Sequence, residues 1–275
     1  MIIKTKNSDF SASGFGVLEY LDEKTLALLT STGRTFTTLQ KYALQDFLTK
    51  IGYIANNGIY AKSVKMFMPV IADGLVKSFF NLKTGAYDYP APYTGANIAT
   101  SDYIYDAAAK GFHNNQSAVA PFKVGTYNLG LYPNNLSVAS YISTVGLRKR
   151  PAFGNGNNRI SGSDNFNYNN GSDSALFEAD TPSQTKKISI MSASGIATGN
   201  VKVWGDGAVM TVNETILGSP TALVLNNMYF MARATGYNYI LCNPCQFIMV
   251  GTAITPEEAE ILREALATAM PILLA

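Results

Sequence analysis

The stretch "CQFIMVGTAITPEEAEILREALATAM", Cys245–Met270, decides how the chain is read. Phe247, Ile248, Met249 and Val250 form a short apolar run of the length of a buried strand. Thr255 then stands where an N-cap belongs, because its hydroxyl can accept one of the free backbone N–H groups of a helix start. Pro256 fits the first helical position, and Glu258, three after the cap, completes a capping box. Glu257, Glu258 and Glu260 place negative charge at the positive end of the helix dipole. Leu262, Ala265, Leu266 and Ala269 recur at helical spacing and make one apolar face, and Pro271 is expected to end the helix. The stretch is strand, turn, helix.

Working outward, most of the preceding chain reads as β-structure. "LSVASYIST" alternates Val138, Ser140 and Ile142 against Ser137, Ala139 and Tyr141, the pattern of a half-buried strand. "KKISIMSAS" repeats it through Ile188 and Ile190. "VKVWGDGAVMTV" is a hairpin, with Gly205-Asp206-Gly207 supplying the turn. Earlier, "TTLQKYALQDFLTKI" sets Leu39, Ala43, Leu44, Phe47, Leu48 and Ile51 on one face of a helix. Before it, "GVLEYL", a "DE" turn and "KTLALLT" fit either a hairpin or one short helix. Many short strands with turn signals between them indicate a sandwich or jelly roll.

Composition narrows the function classes. The 275 residues are 47% hydrophobic and only 15% charged, with a formal net charge of +2. A core is affordable, and nothing in the charge asks for nucleic acid; "LRKR", Leu147–Arg150, reads as a solvated loop. A sparsely charged surface rich in Asn, Ser and Tyr suits secreted or virion proteins. No apolar run approaches the roughly 20 residues of a spanning helix, and "MIIKTKNSDFSASG" is too polar for a signal-peptide core. No membrane insertion is expected, and release by lysis is one way out of a cell.

Candidate chemistry is sparse. Cys242 and Cys245 form "CNPC", but a strand follows where a redox motif wants a helix, and zinc would need two more ligands in a chain with one histidine, His113. The pair reads as a turn, with a disulfide permitted and not required. His113, in "KGFHNNQS", is read as surface or hydrogen-bonded structure. Asp102 and Asp106 lack a third acidic ligand nearby for calcium. The loop "FGNGNNRISGSDNFNYNNGSDS", Phe153–Ser174, mixes amides with aromatics. It reads either as exposed turns or as a recognition surface.

In order, the helix at 37–51, "NLK" at Asn81–Lys83, "GAYDYP", the "SVASYIST" strands, the "VKVWGDGAVMTV" hairpin and the closing "FIMVGTAITPEEAEILREALAT" resemble the concanavalin A-like (LamG-like) jelly-roll domains of bacteriophage virion proteins, especially tail and fibre components. The resemblance covers roughly 36–275. It implies a mainly β jelly-roll sandwich with an N-terminal helix and a short C-terminal helix packed across the sandwich end, the last strand lying mid-sheet. Residues 1–35 would be an attachment segment.

The wider fold includes glycoside hydrolases with an E-x-D-x-x-E strand. "FEADTPS" keeps Glu178 and Asp180 but has Ser183 at the third position, so the carboxylate pair such chemistry needs is incomplete. The resemblance therefore implies a non-enzymatic virion protein without cofactor, metal site or catalytic residue. It would assemble with other virion proteins as a homo-oligomer in the host cytoplasm and leave by lysis. A second reading is a carbohydrate-binding module or lectin contacting host glycans, through Asn157, Arg159, Tyr168 and Asn170 and through Trp204 and Asp206 at the hairpin tip. Trp204 also admits a role covering the sandwich edge.

Overall fold

A computed structural model describes residues 21–100, 103–114, 125–131, 135–144, 153–155, 158–159, 165–169, 175–180, 186–195, 201–207, 209–210, 228–230 and 243–275. The helices are α1 (Glu23–Thr32), α2 (Thr38–Lys50), α3 (Gly58–Lys62), α4 (Leu75–Ser78) and α5 (Pro256–Leu274). Strands in the first half are β1 (Ser63–Phe67), β2 (Phe80–Asn81), β3 (Ala86–Tyr87), β4 (Tyr103–Asp106), β5 (Gly111–Asn114), β6 (Gly125–Tyr127) and β7 (Leu136–Ile142). Then come β8 (Phe153–Asn155), β9 (Asn158–Arg159), β10 (Asn165–Asn169), β11 (Ala175–Asp180), β12 (Ile188–Ala193), β13 (Val201–Trp204), β14 (Val209–Met210), β15 (Met228–Phe230) and β16 (Cys245–Gly251). The chain is mainly antiparallel β-sheet with a C-terminal helix.

The main sheet runs β14-β13-β12-β7-β16-β1-β2-β3, with β5 also reaching β16 and β4 pairing β5. Strand β16 lies between β7 and β1, in register Val250↔Val138 on one side and Met249↔Met66 on the other. Gly251 makes the last approach possible. A Cβ there would stand 2.4 Å from Lys62 O, where β1 shifts register against β16.

Both faces of this sheet are covered. Alternate residues Phe247 and Met249 of β16, Ala139 and Tyr141 of β7 and Ile188 and Ile190 of β12 face the helices. Ile248, Val250, Val138 and Met191 face an aromatic-rich layer holding Phe79, Tyr103, Phe112 and Tyr127. β7 and β12 are therefore buried at every position, where alternation predicted half-buried strands. Two of their serines bond backbone: Ser137 Oγ donates to Thr252 O at 2.7 Å, and Ser192 Oγ donates to Ile254 O at 2.7 Å.

Helices α2 and α5 pack together on the first face. Leu44, Phe47 and Leu48 of α2 and Ile51 at its C-cap meet Leu262, Ala265, Leu266 and Ala269 of α5 in one core, and the Phe47 and Phe247 rings meet edge-to-face at 5.7 Å. Each leucine, isoleucine or phenylalanine so buried stabilises by about 1.5–3 kcal/mol. Leu39 leaves this face and is 65% exposed, and Ala43 is only half-buried. Helix α5 thus covers a sheet face beside α2, where the resemblance placed it across a sandwich end.

The ends of the helices follow their sequences. The Thr255/Glu258 and Thr37/Gln40 capping boxes both form. Asp22, read as part of a turn, is the N-cap of α1, and Gly33 at φ 73° ends that helix. Pro271 does not end α5, which continues to Leu274. A proline in the last turn removes only one backbone donor, and the last carbonyls, which any helix end leaves without an intrahelical partner, find side chains. Arg34 Nη2 donates to Leu273 O at 3.0 Å, Gln40 Nε2 donates to Ile272 O at 3.3 Å, and Lys110 Nζ donates to Leu274 O.

The segment read as an attachment arm is described from residue 21. There α1 buries Thr25, Leu28 and Thr32, and Leu28 joins the helix-side core, so residues 21–35 belong to the body of the fold.

Candidate functional site

The hairpin at β13–β14 forms as expected, with Trp204 opposite Val209. The Trp204 ring, however, is 1% exposed in the helix-side core and offers no face to a sugar. Asp206 is committed as well. Its carboxylate accepts from Lys187 N at 2.9 Å and Ile188 N at 2.6 Å, fixing the start of β12, and its carbonyl accepts from Arg263 Nη1 at 3.3 Å. Both act as structural joints between hairpin, sheet and α5.

Of the remaining recognition residues, the two that are described lie on separate strands. Arg159 closes β9, paired through Gly154 in the sheet β6-β15-β8-β9. Tyr168 lies on β10, opposite Phe177 of β11. Asn157 and Asn170 lie outside the described residues, as does Ser183. Glu178 and Asp180 stand two apart on β11, facing Asn167 and Asn165 in the ladder.

His113 is buried on β5, opposite Ile104, and not at the surface. Asp106 accepts from Ala108 N and Ala109 N, both at 2.9 Å, and so shapes the β4–β5 turn; Asp102 lies outside the described residues. Cys245 is buried inside β16, where its thiol donates to Phe247 O at 3.0 Å, and Cys242 lies outside the described residues.

A polar cluster that the sequence reading passed over joins the "NLK" and "GAYDYP" segments. Asn81 Oδ1 accepts from Met66 N at 3.1 Å and Lys83 N at 3.0 Å, while Asn81 Nδ2 donates to Asp88 Oδ2 at 2.9 Å. The same carboxylate pairs with Lys65, whose ammonium lies 4.8 Å from the Tyr127 ring centre. Tyr127 donates to Asp88 O at 3.1 Å, and burial pushes its phenol well above the usual tyrosine range. The phenol is held neutral, and one oxygen of the Asp88 carboxylate serves both Lys65 and Asn81. The cluster locks β1, β2 and the segment after β3. An Asn and an Asp seven apart around a glycine turn were its only sequence signal.

Two surface clefts stand out among the described residues. One, of about 590 Å³, lies where Arg34, Gln40 and Lys110 reach the end of α5, bordered by Leu39 and Ile272. Burial lowers the affinity of both cations for their protons, and Arg34 lowers that of Lys110 further by repulsion. The other, of about 450 Å³, is lined by Lys24, Tyr53, Asn56, Tyr60, Lys83 and Thr84. Its tyrosine rings meet edge-to-face at 5.0 Å, and the Lys83 ammonium lies 4.7 Å from the Tyr60 ring centre. Aromatic surface, amide, hydroxyl and ammonium converge there. Among the described residues, no group of three His, Cys, Asp or Glu side chains is placed to hold a metal ion.

No family model and no curated protein matches the chain. Three solved structures of Trypanosoma rangeli sialidase are similar to it at 12% identity. The complex with 2,3-difluoro-KDN aligns over 86% of this chain at a TM-score of 0.41. The sialic acid complex aligns over 87% at 0.35, and the complex with the inhibitor DANA over 63% at 0.33. The chain spans 32–40% of those sialidase chains. A likeness this slight carries no argument about fold or chemistry.

Proposed function

We propose that this chain is a non-enzymatic structural protein of a phage virion, a tail, fibre or head-decoration component on a LamG-like jelly roll, with contact to host glycans as a second role. One observation carries the reading: β16 enters the sheet between β7 and β1, then passes through Gly251 and a capping box into α5. That is the closing order the resemblance implied. A sheet buried on both faces gives a rigid block, which suits a part repeated around a symmetry axis. The partners are other virion proteins and further copies of this chain, assembled in the host cytoplasm and released by lysis.

The test is quantitative mass spectrometry of gradient-purified particles from the source. A fixed small-integer copy number relative to the major capsid protein supports the structural role. Absence from the particles overturns it. The lectin reading is favoured by one observation, the tyrosine- and lysine-lined groove, and it then stands alone.

A further inference from the structure

We infer that the groove between the start of α1, the 51–57 loop, α3 and the β2–β3 turn is a binding site for an acidic saccharide. The inference deepens the glycan-contact part of the proposed function and moves it away from the hairpin tip.

The charge comes first. Lys24 Nζ donates to Ile54 O at 2.7 Å, and Lys83 Nζ donates to Tyr60 O at 3.0 Å and Ala61 O at 3.1 Å. Carbonyls orient an ammonium without neutralising it. Among the described residues neither lysine has a carboxylate within ion-pair distance, whereas Lys50, Lys62, Lys65 and Lys77 each do. An ammonium has three donors, so Lys83 keeps one for a further acceptor. Asp22 also bears on the groove, raising the Tyr53 phenol after burial and Tyr60 have done so. Its carboxylate accepts from Lys24 N at 2.9 Å as the cap of α1, so two cations face one committed anion.

The mixture of polar groups selects a polyol over a phosphate. Phosphate oxygens only accept, and they favour guanidinium forks or nests of backbone N–H. This groove sets ammonium donors beside main-chain carbonyl acceptors, the Asn56 amide and the Thr84 hydroxyl. Hydroxyls of a sugar both donate and accept, and a carboxylate on the sugar answers the two lysines. Tyr53 and Tyr60 add the apolar surface against which the C–H side of a pyranose rests.

The groove is also preorganised, which reduces the ordering cost of binding. Tyr53 N donates to Leu48 O at 2.9 Å, Asn57 N donates to Gly52 O at 3.0 Å, and Tyr60 N donates to Ile51 O at 2.8 Å. Gly52, at φ 86°, allows the loop to close; a Cβ there would stand 2.1 Å from Asn57 O.

The test is calorimetric titration of the full chain with a hexasaccharide alternating glucuronate and N-acetylglucosamine, and with the same hexasaccharide after carboxyl reduction. The acidic form is expected to bind more tightly, and added salt to weaken it. The double variant Lys24→Gln/Lys83→Gln is expected to weaken binding about tenfold or more, as loss of charge-assisted contacts does. Asn56→Gly keeps the loop folded, since Asn56 sits at φ 55°, and is expected to weaken binding through loss of the amide alone. Equal binding of the acidic and reduced sugars overturns the inference. Binding that ignores all the groove variants overturns it too, while leaving glycan contact elsewhere intact. No binding of either sugar removes both this site and the glycan-contact role, and the particle copy number then judges the virion role separately.

Discussion

Asn81 has no exposed surface, yet its amide serves three partners. Asn81→Ala leaves one buried and one half-buried backbone N–H without an acceptor and is expected to cost about 1–3 kcal/mol, read as a lower urea midpoint at unchanged slope. Asp88→Ala strips Lys65 and Asn81 of their common acceptor. Because they share that network, the double variant should cost less than the sum. Tyr127 links the cluster to pH. Its folded pKa lies above its unfolded value, so the unfolded chain loses the phenolic proton first. Its contribution is complete below pH about 10 and is lost as pH rises beyond that. Tyr53, Tyr60, Tyr89, Tyr105 and Tyr141, also raised by burial, act in the same direction, whereas the lowered Lys110 opposes them. Melting temperatures should hold until pH approaches about 10 and fall above it, and Tyr127→Phe should flatten the fall.

At the scale of elements, α5 tests how much its start contributes. Thr255→Ala is expected to cost about 1 kcal/mol through loss of the cap. Glu258→Ala should cost more, because Glu258 Oε2 accepts from Thr255 N at 2.7 Å and also pairs with Lys62 at 2.5 Å. A Lys62→Met/Glu258→Gln cycle separates the two in chemical denaturation. Gly251→Ala should be the most damaging change here, since its Cβ meets the backbone of Lys62 and Ser63 at the junction of α3 and β1, which cannot swing aside. These elements were legible because their signals are local: a capping box, a helical face in α2, a glycine turn between β13 and β14. What pairing decides was not legible. Whether Trp204 faces water or the core depends on α5 lying over β13. The carbonyls beyond Pro271 are met by Arg34, Gln40 and Lys110, which arrive from distant segments that no local signal ties to this helix end. The candidate groove draws on positions 24, 53, 56, 60 and 83, so no contiguous motif announces it.

For the whole molecule, the described part of the N-terminal segment is expected to behave as core. Deleting residues 1–35 removes Leu28, buried against the helix-side layer, and should lower the urea midpoint, a deletion comparable in kind to large core truncations of about 2–5 kcal/mol. Hydrogen exchange should be slowest in β7 and β16 at the middle of the sheet and fastest in β2 and β3 at its edge. The central place of β16 carries one more consequence. Its partners β1 and β7 are synthesised long before it, and Ser137 waits 115 positions for Thr252. At about 5–20 residues per second, a ribosome leaves those strand edges unpaired for several seconds or more. The sheet is therefore completed after most of the chain has been translated, and its high contact order makes a slow folding step and a need for chaperone cover the natural accompaniment of its synthesis.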